Sequence, residues 1–441
     1  MSRSADRDGK CTSVGSVWAA PVRLAVCAAS VAAGLLVGVP ATAADLGGDC
    51  CADLEDRVAA LEETAARRGN RKVSLTVSGY VTKQIMFWDD GAESNAYISD
   101  IGPTQATNFR FIGAAKINSD LTAGFLVRIQ DLDANSIGLN QFNDNANLGL
   151  NVQMSYWYLQ SKAYGKLSLG KNALASKSAA MFTDLSGTQL IANYVLFDAN
   201  AFFLRQDRSL LKLRWGDFAY CYSQQRPWAG DCDGIVMDGA RYDSPTFFGG
   251  FSFSASYGMD DDIEAALRYQ GEVAGFKLAA AAGYSSNTDV NTQPPPISFG
   301  KDADYFQTGG YIQHLATGLF VHAAYGTEDN NGTTIFSGLT EPDTHHWYLK
   351  GGIRRKWNAL GHTVLYGEYA RYFDQLSPLA LNTGATGSEF SRWGFGAAQE
   401  IDAAAMSLWI KYRQQEVSID GPGLSDIEDF RYVSAGGLVN F

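Results

Sequence analysis

Beyond residue 39, the 441-residue sequence has no apolar run that approaches the length of a membrane-spanning helix. Positive charge is in short supply: 35 Lys and Arg stand against 47 Asp and Glu, a net charge of −12, which argues against a nucleic-acid partner. Histidine is rare. His314, His322, His345, His346 and His362 lack the spacing of a zinc site. His345 and His346, as neighbours on a strand, would face opposite sides and make poor co-ligands. No nucleophile motif is present, and nothing in the sequence calls for a cofactor. Mean hydropathy is −0.14, a value a soluble protein could share. The order of the apolar residues, not their number, has to decide the fold class.

The N-terminus reads as a targeting segment. Arg3, Arg7, Lys10 and Arg23 precede an apolar stretch from Leu24 to Val39, then Pro40 and Ala41-Thr42-Ala43. A basic region, a short apolar region and an A-x-A site describe a secretory signal peptide, with cleavage expected after Ala43. An uncleaved anchor helix is the alternative. Export would place the protein in or beyond an oxidising periplasm. Residues 44–70 follow as a linker with a short helix. Leu54, Val58, Leu61 and Ala65 are spaced as a heptad seam, and Gly69-Asn70 ends the pattern. Two heptads are too few to stand alone, so a coiled coil here would need a trimer to hold it; otherwise the segment is a solvated helix or linker. Cys50 and Cys51 just precede it, as intersubunit disulfides or as a vicinal pair of no function.

From Lys72 the period changes to two. Val73, Leu75, Val77, Val81, Ile85 and Phe87 alternate with Ser74, Thr76, Ser78, Thr82 and Gln84. Such alternation describes a strand with one dry and one wet face. The pattern recurs to the end of the chain, where long strands are joined by very short turns at 118–120, 244–249, 272–275, 315–317, 358–361 and 402–404. Long polar connections, such as 285–302 and 327–342, separate the hairpins. Alternating short and long connections mark an outer-membrane barrel with short periplasmic turns and long external loops. A soluble sandwich would rarely need so many long paired strands in one domain.

The expected fold is therefore all-β: a transmembrane antiparallel barrel over 71–441 with 16 strands, near 72–88, 108–117, 122–131, 150–161, 165–171, 234–243, 251–259, 263–271, 275–284, 303–314, 318–326, 344–356, 361–373, 389–401, 405–417 and 430–441. An 18-strand wall follows if 201–224 adds a hairpin. The sequence stops at Phe441, with Val433, Ala435, Gly437 and Val439 on the same face. A lipid-side terminal aromatic is the expected signal to the barrel-insertion machinery.

Several segments resemble the alphaproteobacterial (rhizobial-type) porin family. They are LEDRVAALE leading into NRKVSLTVSGYVTKQIMFWDDG (70–91), NFRFIGAAKINSDLTAGFLVRI (108–129), SYWYLQSKAYGKLSLGK (155–171), RYDSPTFFGGFSFSASYG (241–258) and ALRYQGEVAGFKLAAAAGYS (266–285). The C-terminal third matches mainly by hairpin pattern and the final Phe, and the Cys221–Cys232 segment departs from the family pattern. The resemblance implies a 16-stranded homotrimeric general porin, passing small hydrophilic solutes and ions through the outer membrane. Its surroundings would be lipid and lipopolysaccharide, and its third loop would fold into the lumen.

Residues 172–233 form one very long connection, and lengths of this kind are usually functional. The stretch 178–204 is too apolar to be left in solvent, so it is expected inside the barrel as a constriction loop of about 172–204. An external lid or extra strands are the alternatives. With apolar residues facing lipid, parity puts Arg110, Lys116, Arg128, Arg268, Lys350, Arg354, Lys411 and Arg413 inward, with Glu264 and Glu368; Arg241 is ambiguous. An Arg or Lys on the lipid side costs roughly 2–4 kcal/mol at mid-membrane. Arg110, Lys116, Arg128 and Arg268 are the candidates for a basic wall, and Asp184 and Asp198 for an acidic loop opposite it. Together they would set a transverse field across the narrowest section. Cys221 and Cys232 are expected to form a disulfide; two free thiols, or pairing with Cys50 or Cys51, are the alternatives. A substrate-specific channel and an adhesive barrel without an open pore are the competing functions. An enzyme site assembled from scattered strand residues is a further one.

Overall fold

The computed structural model describes residues 72–102, 105–223, 231–234, 236–259, 261–288, 302–332 and 339–441. The signal peptide, Cys50, Cys51 and the heptad segment lie outside the described residues. Sixteen strands make up the wall: Ser74–Asp89, Asn108–Lys116, Leu121–Asp131, Leu150–Ser161, Gly165–Ala173, Val236–Asp243, Phe251–Gly258, Asp262–Val273, Phe276–Asn287, Ala303–His314, Leu319–Asn330, Thr344–Arg355, Thr363–Phe373, Gly387–Ile401, Met406–Asp420 and Phe430–Asn440. Each pairs antiparallel with the next, and the last returns to the first with Ile85 opposite Ala435, so the sheet closes. A seventeenth strand of the same sheet, Ser94–Ser99, is a short addition along the upper half of Ser74–Asp89.

The alternation seen in the sequence is the alternation of the wall, but turned inside out relative to a soluble protein. Val81, Leu267, Val321 and Leu365 are exposed on the outer face, whereas Gln84, Lys350, Arg392 and Gln415 are buried on the inner face. In water an apolar belt of this kind would be an aggregation surface. Facing hydrocarbon it is the expected exterior of a membrane barrel. The short turns follow hairpin rules. Between Val273 and Phe276 the two-residue turn Ala274-Gly275 has φ of 52° and 81°, as a type I′ hairpin requires. Next to Arg128 the ladder is interrupted: Arg128 pairs with Met154 and Ile129 with Val152, leaving Gln153 as the extra residue of a bulge.

The long connection after Ala173 folds into the barrel. Its apolar side chains Tyr194, Phe202, Leu204, Trp215 and Phe218 are buried in one cluster with the inward-facing Met86, Trp88, Tyr348, Tyr372, Phe390, Phe430 and Tyr432. Ring centroids lie 4.6 Å apart for Phe202 and Phe430 and 5.1 Å for Trp88 and Phe202. Residues 201–224 do contain a hairpin, Phe203–Gln206 with Ser209–Arg214, but it is a separate two-stranded sheet and adds nothing to the wall. The eighteen-strand alternative is thereby set aside. The inserted segment also continues well past residue 204, because Trp215 and Phe218 belong to the same core.

Candidate functional site: the lumen and its anchored loop

The inner face carries the polar half of each strand, so the folded-in loop meets a wall of charges and amides. Two of its carboxylates dock there. Asp184 pairs with Lys350, whose ammonium also donates to Thr188 Oγ1 at 3.0 Å and to the Ala192 carbonyl at 2.8 Å. Asp198 Oδ2 receives Lys411 at 2.7 Å, Arg413 at 3.3 Å and the Tyr432 hydroxyl at 2.8 Å, while Gln84 donates to Oδ1 at 3.0 Å. Arg413 is held from its other side by Glu368, at 2.7 Å from Nε. Burial alone would push the Asp198 carboxyl up, but Lys411 and Arg413 outweigh it and hold it below the usual carboxylate range. Asp184 is lowered in the same way: burial raises it, and Lys350 more than reverses the effect.

Backbone carbonyls complete the attachment. Arg392 donates to Asn193 O at 2.5 Å and Val195 O at 3.2 Å, and Lys411 to Ile191 O at 3.1 Å. On the opposite flank Ser178 donates to Asp231 at 2.6 Å, Gln307 to Asp233 at 2.7 Å, and the Ser176 amide to Glu264 at 2.7 Å. The basic inner wall therefore works mostly as a set of docking points. This corrects the expectation for the loop: Asp184 and Asp198 are not acidic groups facing an open section across from a basic wall. Both are buried and matched by cations.

Of the remaining inward cations, Arg354 is paired with Glu400 at 2.7 Å, and four arginines lie on strands between Asn108 and Val273. Arg110 and Arg128 lie directly opposite each other on adjacent strands, and Arg110 also donates to Asn108 Oδ1 at 3.3 Å. Like charges placed opposite one another in a sheet repel. Arg268 points inward, donating to Ser254 Oγ at 3.1 Å and to Ala175 O at 2.5 Å. Arg241, whose parity the sequence left open, is inward as well. It binds Asp243 at 2.6 Å and the carbonyls of Ala173 and Leu174 at 2.9 Å. Lys116 is the exception among the expected basic residues. It shares the parity of Arg110 but sits exposed at the turn end of its strand, so its place is the rim.

Cys221 and Cys232 form a disulfide, with Cα atoms 5.2 Å apart. It closes the far end of the inserted segment, where the amides of Tyr222 and Ser223 donate to Glu328 at 3.0 and 2.9 Å. Replacing both cysteines by serine is expected to lower stability by about 2–3 kcal/mol, from the loss of a short loop closure. Denaturant unfolding of the folded protein measures this; an unchanged midpoint would deny the bond a structural role.

A closed barrel with a greasy outside, a charged inside and a loop docked across its bore is an outer-membrane channel. The Gram-negative porin family model matches residues 25–420, and the chain belongs to that family. No curated protein matches the sequence. Among solved structures, the chain is similar to an anion-selective porin from Comamonas acidovorans, with 15% identity over 84% of this chain and 100% of the other and a TM-score of 0.53. It is also similar to OmpT, an outer membrane protein of Vibrio cholerae, with 12% identity over 86% and 100% and a TM-score of 0.51. Salmonella typhi OmpF, solved with daunomycin, gives 16% identity over 84% and 98% and a TM-score of 0.50. At these identities the likeness is one of fold. The protein is a general porin of the outer membrane, a passive water-filled channel for small hydrophilic solutes.

Proposed function

We propose that Arg110, Arg128 and Arg268 form the charged narrowing of the channel and that it favours anions. The observation that carries this reading is the pairing of two loop carboxylates: Asp184 and Asp198 are each bound to other wall cations, so neither of these two offsets the arginine arc. A field set by guanidinium groups lowers the barrier for an anion entering a narrow aqueous section. The test is the reversal potential of the wild-type channel in a potassium chloride gradient. The reading requires a value on the chloride side of zero; a potassium-side value would sink it.

The same reading extends to assembly and surroundings. The channel is a homotrimer of the alphaproteobacterial type, set in outer-membrane lipid and lipopolysaccharide, and it carries out no catalytic step. Lys83 supports a partner-facing sector, because it lies on the outer face between Val81 and Ile85, with its ammonium 2.9 Å from the Asp133 carbonyl. A cation at that position is better tolerated against protein than against hydrocarbon. Phe441 is proposed as the insertion signal read by the assembly machinery. Its backbone pairs with Gly79 at 3.0 and 3.1 Å, and its ring lies 5.5 Å from Phe109 on the outer face. Deleting Phe441 is expected to reduce the fraction of protein assembled in the outer membrane severalfold, with the remainder degraded or aggregated in the periplasm. Fractionation with a heat-modifiability gel reads this, and wild-type assembly would refute the role.

A further inference from the structure

The inserted segment buries its large apolar side chains with one conspicuous departure. Met181, Ile191, Tyr194, Val195, Leu196, Phe197, Phe202 and Leu204 are all buried, whereas Phe182 is 53% exposed. Its ring borders a cavity of about 460 Å³ between the loop and the inner face of the strands Asp262–Val273 and Phe276–Asn287. Arg268 lines the same cavity, and among the described residues its guanidinium meets a hydroxyl and a carbonyl but no carboxylate at ion-pair distance. Glu272 and Lys277 also line it, facing each other across the two strands. As cross-strand neighbours of opposite sign they offset one another, which leaves Arg268 as the cation of the cavity with no directly paired carboxylate among the described residues; Asp243 reaches it only through Ser254 Oγ.

We propose that this cavity is a solute-binding subsite for small aromatic or otherwise planar apolar carboxylates. The carboxylate is held by Arg268 and the apolar body lies on Phe182. Each element answers a physical need. A guanidinium receives a carboxylate through two parallel hydrogen bonds, and its planar fork sets the orientation. An aromatic ring left in an aqueous lumen gains by covering itself with an apolar solute, and flat rings do this at little entropic cost. A purely hydrophilic anion such as acetate can use only the first contact. The subsite thus discriminates by the apolar body, while charge alone governs entry.

This inference rests on the channel reading, and the experiment separates the two. Wild-type channels in planar bilayers are titrated with benzoate and with acetate, and the concentration for half-maximal reduction of the chloride current is read for each. Benzoate is expected to act at about tenfold lower concentration than acetate, a difference of about 1.4 kcal/mol. Phe182→Ser, at an exposed position, should bring benzoate to the acetate value, and Arg268→Gln should weaken both. Equal action of the two anions on the wild type, or a benzoate preference that survives Phe182→Ser, overturns the subsite while leaving the channel intact. Absence of any current would overturn the channel reading instead. In that event binding is read in detergent from Phe182→Trp fluorescence: quenching by 4-nitrobenzoate that excess benzoate, but not acetate, reverses supports the subsite. Quenching that neither or both reverse removes it.

Discussion

Replacing Asp198 by alanine should loosen the inserted loop and destabilise the folded barrel by about 3–5 kcal/mol, the usual cost of removing one partner of a buried ion pair. The substitution leaves Lys411 and Arg413 buried side by side with Glu368 as their nearest carboxylate. Each remaining charge keeps its desolvation penalty and loses the attraction that offset it. Denaturant midpoints of the folded protein should fall accordingly, and single-channel currents should become larger and noisier as the loop leaves the wall. A double change, Asp198→Leu with Lys411→Met, should recover part of the stability by removing an unmatched charge. Wild-type midpoints and steady currents in Asp198→Ala would mean that the loop is held by its apolar cluster alone. The sign with pH follows from the depressed carboxyl of Asp198. Its stabilising contribution is complete above the ordinary carboxylate value of about 3.9 and is lost only as pH falls through the lower folded value, so the latch stays closed at neutral pH.

The second large effect concerns selectivity. Arg110→Glu and Arg128→Glu each reverse one charge on the arginine arc, at positions opposite each other across two strands. Each is expected to move the reversal potential in a salt gradient toward potassium by tens of millivolts or about half of its full range, and the pair together should invert the preference. The shift should shrink at high ionic strength, where a charge is felt over only about 3 Å at 1 M salt. Lys116→Glu, at the exposed rim, should change little and serves as the control. If Lys116→Glu shifts the potential as much as the two arginine changes, the narrowing lies at the turn end of the barrel and not beside the docked loop.

The wall was legible in the sequence because lipid imposes a strict period on it. All sixteen expected segments correspond to strands, and for Leu150–Ser161 and Ala303–His314 the bounds coincide. Strand ends were least legible on the long-loop side. Leu319–Asn330 runs past the expected 326 and Phe276–Asn287 past 284, since Thr327, Asp329 and Ser286 no longer alternate as lipid would require. Beyond the membrane the backbone pairs on without an apolar outer face to announce it. The inward parity of Lys350, Lys411, Arg413 and Glu368 was also legible, again as a consequence of period two. What parity cannot give is the partner. Asp198 meets Lys411 and Arg413 more than two hundred residues away, and only closure of the barrel brings them together. For the same reason Arg392, gripping the carbonyls of Asn193 and Val195, had no local signal beyond its inward position. The hairpin at 203–214 was visible as apolar and β-forming, but its location inside the bore depends on the aromatic cluster that receives it.

Planar-bilayer recording of the purified, detergent-folded protein addresses the account most directly. A barrel whose bore stays open beside a docked loop should give discrete current steps of uniform size, arriving in threes for a trimer and growing in proportion to salt concentration. Protein that inserts, resists heat as a folded barrel and yet carries no current would contradict it.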